Sequence, residues 1–159
     1  MRRVATILGT AAVVMMATSV FAQAPSFAGV WTLDAEKTAA AAPAGGGGGG
    51  RGGGRGGGGP MTIKQDAKTL SIVRTTQAGE TTTTYNLDGS ESKITMAGRG
   101  GAEPTTVVAK AKWDGAKLVI TTTTPNGDQV VTWYMEGDYL VQERTGQNGA
   151  VKTYYKKGA

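Results

Sequence analysis

One spacing recurs three times in this chain: a Leu, a Gly nine residues on, and an aromatic six beyond that. Leu70–Gly79–Tyr85, Leu118–Gly127–Trp133 and Leu140–Gly149–Tyr155 all carry it. Each copy starts shortly after an acidic-small pair: Asp66-Ala67, Asp114-Gly115 or Glu136-Gly137. Two runs of Thr, Val, Ile and Tyr around a Gly-containing loop read as a β-hairpin, and the acidic-small pair turns the chain into the next one. Hairpins chained in this way form an antiparallel up-and-down meander. A meander this long removes its exposed edges by closing into a barrel. The fold class is therefore all-β, with about ten strands.

The first strand is expected over Phe27–Leu33, and the others over 61–66, 69–76, 80–87, 91–96, 104–113, 116–124, 128–136, 138–145 and 150–157. Between strands one and two the composition shifts. Ala35–Ala42 suits a short helical turn, and a Gly tract interrupted by Arg51 and Arg55 then ends at Pro60. Glycine at this density cannot recover its backbone entropy by burial, so residues 44–60 are expected to form a disordered, flexible loop.

Residues 1–22 read as a signal peptide. Arg2 and Arg3 form a positive n-region, Val4–Val20 is mostly apolar, and Val20-Phe21-Ala22 is a small-x-small cleavage site. Cutting after Ala24 instead would leave Pro25 first, which signal peptidases handle poorly. As a transmembrane anchor the stretch falls short of the roughly 20 residues a span requires. Residues 23–159 then form a single domain, exported to the periplasm or secreted. With no Cys there is neither a lipid-anchoring thiol nor a disulfide.

Two of the 17 Lys and Arg leave with the leader, so the mature chain carries net +3 against its 12 acids. That is below the charge of a dedicated nucleic-acid binder. Only ten Phe, Trp and Tyr residues imply a thin core, as in a small single-layer barrel. The frequent Thr suits strands with one wet face; its runs lack the strict repeat of an ice-binding ladder.

Period-2 alternation assigns the faces. Leu70, Ile72 and Arg74 share one side, as do Leu118 with Ile120, and Leu140, Gln142 and Arg144. Tyr85 with Leu87 and Trp133 with Met135 match them on return strands; these sides are taken as inward. Alternate loops of a meander lie at opposite ends. The Gly-rich loops gather at one end and the tight Asp-Gly and Glu-Gly turns at the other. The Gly-rich end is the candidate portal, with Arg51, Arg55 and Arg99 on its loops and Arg74 and Arg144 near the strand ends.

Absence of His and Cys rules out ordinary zinc sites, Ser-His triads and thiol nucleophiles. The acids sit mostly at turns, with no pair on one strand face at acid–base spacing, so no catalysis, cofactor or metal is expected. Gly-rich nucleotide loops need a preceding strand and a following helix, which this tract lacks. Its two arginines neutralise little phosphate, so a nucleic-acid partner is not expected. An outer-membrane barrel would need longer strands and an apolar belt.

Phe27-x-Gly29-x-Trp31 at the start of the meander, just after a signal peptide, resembles the calycin superfamily of lipocalins and fatty-acid-binding proteins. The strand count and the long insert after strand one look more like the fatty-acid-binding type. In that type the insert is a helical pair that lids the barrel; here Gly and Ala take its place. The resemblance implies that Trp31, with Phe27 and Gly29, plugs the closed end beneath a basic residue of a late strand. Lys156 is the nearest candidate and Arg144 the next. It also implies an apolar ligand whose carboxylate meets an inward Arg and Tyr. Arg74, Arg144 and Tyr154 are counterparts by type, with Tyr85 and Trp133 on the inward faces; of Tyr154 and Tyr155 only one can point in. The functional expectation is a non-catalytic exported barrel for a small amphipathic, anionic ligand. The alternative is a structural or interaction module of the cell envelope with a filled interior.

Overall fold

The computed structural model describes residues 24–42, 59–76, 79–96, 103–146 and 149–158. Their elements, in chain order, are β1 (Gly29–Leu33), α1 (Ala35–Ala40), β2 (Met61–Gln65), β3 (Thr69–Thr76), β4 (Gly79–Asn86), β5 (Asp88–Met96), β6 (Thr105–Asp114), β7 (Lys117–Thr124), β8 (Gly127–Glu136), β9 (Tyr139–Gly146) and β10 (Gly149–Lys157). The ladder runs β4-β3-β2-β1-β10-β9-β8-β7-β6-β5. Its pairings are antiparallel, and β4 and β5 come side by side to close the wall without a ladder between them.

The recurring triplet is a set of cross-strand partners. Leu70 lies opposite Tyr85, Leu118 opposite Trp133 and Leu140 opposite Tyr155. The Gly of each copy opens the return strand at φ +113°, +103° and +106°, a backbone region costly for any side chain with a Cβ. The repeat thus places a Leu–aromatic pair on the core face of three hairpins.

Alternation fills the interior from every wall. Met61 and Ile63, Leu70 and Ile72, Ala109 and Ala111, Leu118 and Ile120 all point in. Two strand starts differ from the sequence reading by more than one residue. β1 begins at Gly29 because Phe27 leaves the wall for the floor, its N–H bonded to Gln65 Oε1 at 2.8 Å. β5 begins at Asp88 because Gly89, at φ +84°, carries the chain through a bulge before Glu91.

Helix α1 is capped by Asp34, whose Oδ1 accepts the Lys37 N–H at 2.9 Å. It lies against the outside of β10. The Asp34 N–H donates to the Tyr154 carbonyl at 2.9 Å, and the Tyr154 N–H donates to Thr38 Oγ1 at 3.0 Å. Lys37 Nζ sits 3.8 Å from the centre of the Tyr139 ring and 4.9 Å from that of Tyr154. Outward-facing Val141 and Tyr154 are buried there, apart from the interior core. The leader (1–22), residues 44–58 of the Gly tract with Arg51 and Arg55, and Arg99 fall outside the described residues, as does any structure predicted for them.

Candidate ligand site

The floor lies at the tight-turn end. Phe27 and Trp31 are buried, and the Phe27 ring lies 5.4 Å from Trp113 and 6.3 Å from Trp133. Gln65 straps the entering chain: its Oε1 takes the Phe27 N–H and its Nε2 donates to the Pro25 carbonyl at 3.1 Å. Gly29, at φ +138°, lets β1 pass close to Lys157, whose Cε would stand 3.1 Å from an added Cβ. The cation nearest the Trp31 ring is Lys157, at 6.0 Å. Expected in that place, Lys156 instead pairs with Thr32 and Tyr139 on the opposite face of β10. Trp133 belongs to this floor, paired with Leu118 and Gln142.

Above the floor the lining changes character. Arg74 on β3 faces in and is half-buried, with Nη2 3.3 Å from Met61 Sδ. Tyr85 on the neighbouring β4 faces the same interior, opposite Leu70. Burial pushes the Tyr85 phenol above its ordinary 10.0, and the Arg74 guanidinium opposes part of that rise. The phenol therefore stays a neutral donor, and Arg74 acts on it electrostatically from the neighbouring strand. Arg144 shares the inward side of β9 but lies exposed at the loop end, between Val131 and Val151. Tyr154 is not part of the lining: it faces outward beneath α1, and Tyr155 is the one that points in.

Alternation marks Gln142 only as an inward position, and the structure sets it apart. It is half-buried between Trp133 and Thr153, and its Nε2 is wholly buried without a hydrogen-bond partner. Its place between Leu140 and Arg144 on one strand face is the signal in the sequence. A separate concavity of about 360 Å³ lies on the outer face of β5–β8, lined by residues that include Glu91, Lys110 and Asp128. None of the inward residues reaches it.

This wall order, with a short first strand, an insert and a seam between β4 and β5, can be set against solved structures. The REP1-NXSQ fatty acid transporter superposes with a TM-score of 0.57 at 16% identity, covering 83% of this chain and 96% of that one. A point mutant of the fluorescent protein UnaG gives 0.59 at 18% identity, with 84% and 96% covered. The fatty-acid-binding protein from Manduca sexta gives 0.51 at 19% identity, with 82% and 99% covered. The chain has a calycin-like fold, a nearly closed barrel similar in shape to those of fatty-acid-binding proteins. No family model matches it, and no curated protein sequence does. At these identities the likeness is one of fold. Within that calycin frame, α1 follows β1 and lies along the outer wall.

Proposed function

We propose that this calycin barrel is an exported, non-catalytic binder of one small amphipathic anion. The head group is held at Arg74 and Tyr85, and the apolar end points down toward the Trp133–Phe27 floor. The observation that carries the reading is an inward guanidinium, Arg74, within electrostatic reach of a half-buried neutral phenol, Tyr85, on the adjacent strand. Solved barrels of this shape described as a fatty acid transporter and a fatty-acid-binding protein support the same ligand class. Export rests on the leader pattern around Arg2, Arg3 and Ala22.

The test compares a fatty acid with the fatty alcohol of equal length by calorimetry on delipidated mature protein. Wild type should favour the acid, and Arg74→Met should erase most of that preference, about ten- to a hundredfold for a charge-assisted pair. Equal affinity for acid and alcohol in wild type would reject the anion site.

One observation favours the alternative, an envelope module with a filled interior. Phe27, Trp31, Leu70, Leu118 and Leu140 are fully buried, so side chains already fill the interior beside the tight turns. Native mass spectrometry of protein purified from its own host separates the two readings. A co-purified lipid supports the carrier, and a bare chain supports the module.

A further inference from the structure

Resting on the carrier reading, we infer that the ligand carries a hydroxyl group in its body, and that Gln142 is the residue that reads it. The lining above the floor is not that of a simple hydrocarbon sleeve. Arg74, Thr83, Thr122, Gln142 and Thr153 all lie on core-facing positions, opposite Met61, Ile72, Ala109, Trp133 and Gln142 in their ladders. All five are only partly buried, whereas the floor beneath them is apolar and closed. A plain alkyl chain would strip water from these polar groups and give nothing back.

Gln142 makes the demand specific. A buried amide nitrogen without a partner is destabilising until a partner arrives. Gln142 as a whole residue keeps some accessible surface while its Nε2 has none. Rotation about its last torsion presents either end of the amide to a guest. The two ends differ chemically, one donating and one accepting, and a hydroxyl answers both. Position fits as well. In the ten-strand order β9 stands five places from β4 and four from β3, so the β9 wall that carries Gln142 lies across the barrel from the β3–β4 wall. A ligand with its anionic head on the β3–β4 wall places its body against β9. Thr153, directly opposite Gln142 on β10, offers a second hydroxyl to the same group.

The experiment titrates delipidated mature protein with stearate and a panel of monohydroxylated octadecanoic acids, for wild type and Gln142→Leu. Wild type should prefer at least one hydroxylated acid by about tenfold, the size of one hydrogen bond gained by a buried donor. Gln142→Leu should retain stearate binding and lose that preference. Its melting temperature should not fall, because an unpartnered amide gives way to an apolar side chain of similar length. Equal affinity across the panel, or a preference that survives Gln142→Leu, overturns the inference and leaves the carrier reading standing. A clear drop in melting temperature, or failure to fold, would mean that the amide is already bonded in the free protein, and also overturns it. Binding of neither stearate nor any hydroxylated acid overturns both.

Discussion

Trp31 and Phe27 are joined through a single hydrogen bond: the indole Nε1–H of Trp31 donates to the Phe27 carbonyl at 2.8 Å. The bond ties the indole to the backbone of the entering chain, and both rings are buried in the floor. Trp31 is 1% exposed and Phe27 fully buried. Replacing either by Ala should cost about 3–5 kcal/mol in denaturant melts. The double mutant should fall short of the sum, because the two share partners. Strict additivity, or a Trp31→Ala effect under about 1 kcal/mol, would show that the floor is not one unit.

The outer-wall helix should open independently of the barrel. Its attachment is local: Lys37 on the rings of Tyr139 and Tyr154, and Thr38 on the Tyr154 amide. Cation–π contacts of this kind contribute roughly 0.5–2 kcal/mol. Lys37→Ala combined with Thr38→Ala should speed hydrogen exchange at the Tyr154 amide, while exchange at core amides such as that of Leu118 changes little. Uniform acceleration would mean that α1 and the barrel unfold together.

Asp66 gives a pH signature with a defined sign. Its carboxylate accepts the N–H groups of Lys68 and Thr69, each at 2.7 Å, and the Thr69 hydroxyl at 2.8 Å. These bonds, the Lys68 N–H foremost, hold the carboxyl below its ordinary 3.8. A lowered folded value means that the turn's contribution is complete above 3.8 and disappears as pH falls through the lower one. A carboxyl-carbon NMR titration should find a midpoint below 3.8, shifted upward by Thr69→Val. A wild-type midpoint at 3.8 or above would contradict the bonding.

The leader makes a fourth prediction. Expressed with its first 22 residues in a bacterium, the chain should be exported and begin at Gln23 on N-terminal sequencing. Retention in the cytoplasm with Met1 intact would remove export from the proposal.

Most of the wall was legible because the Leu–Gly–aromatic spacing carries both hairpin length and facing. Leu70 with Tyr85 and Leu140 with Tyr155 follow from it directly. Parity between neighbours was harder. Tyr154 and Tyr155 are both buried because α1 covers the outer face of β10, so alternation of apolar residues fails at that pair. Lys156 and Lys157 pose the same ambiguity one step on: like charges side by side say nothing about which faces Trp31. Gln142 was visible as a position, but its orphaned amide depends on neighbours from two other strands. Asn86 was unreadable for a related reason. It reaches across to β5, donating its N–H to Ser92 Oγ at 2.8 Å and its Nδ2 to the Glu91 carbonyl at 3.1 Å.

Those two bonds lie at the tight-turn end of the seam between β4 and β5, and among the described residues no ladder joins the strands above them. The wall is accordingly less a tube than a bound book, with Asn86 as its stitching and the two strands as covers. Spreading the covers breaks side-chain contacts but no row of backbone bonds. The circumference is therefore set at this seam by side-chain contacts, while everywhere else along the ladder backbone pairing sets it.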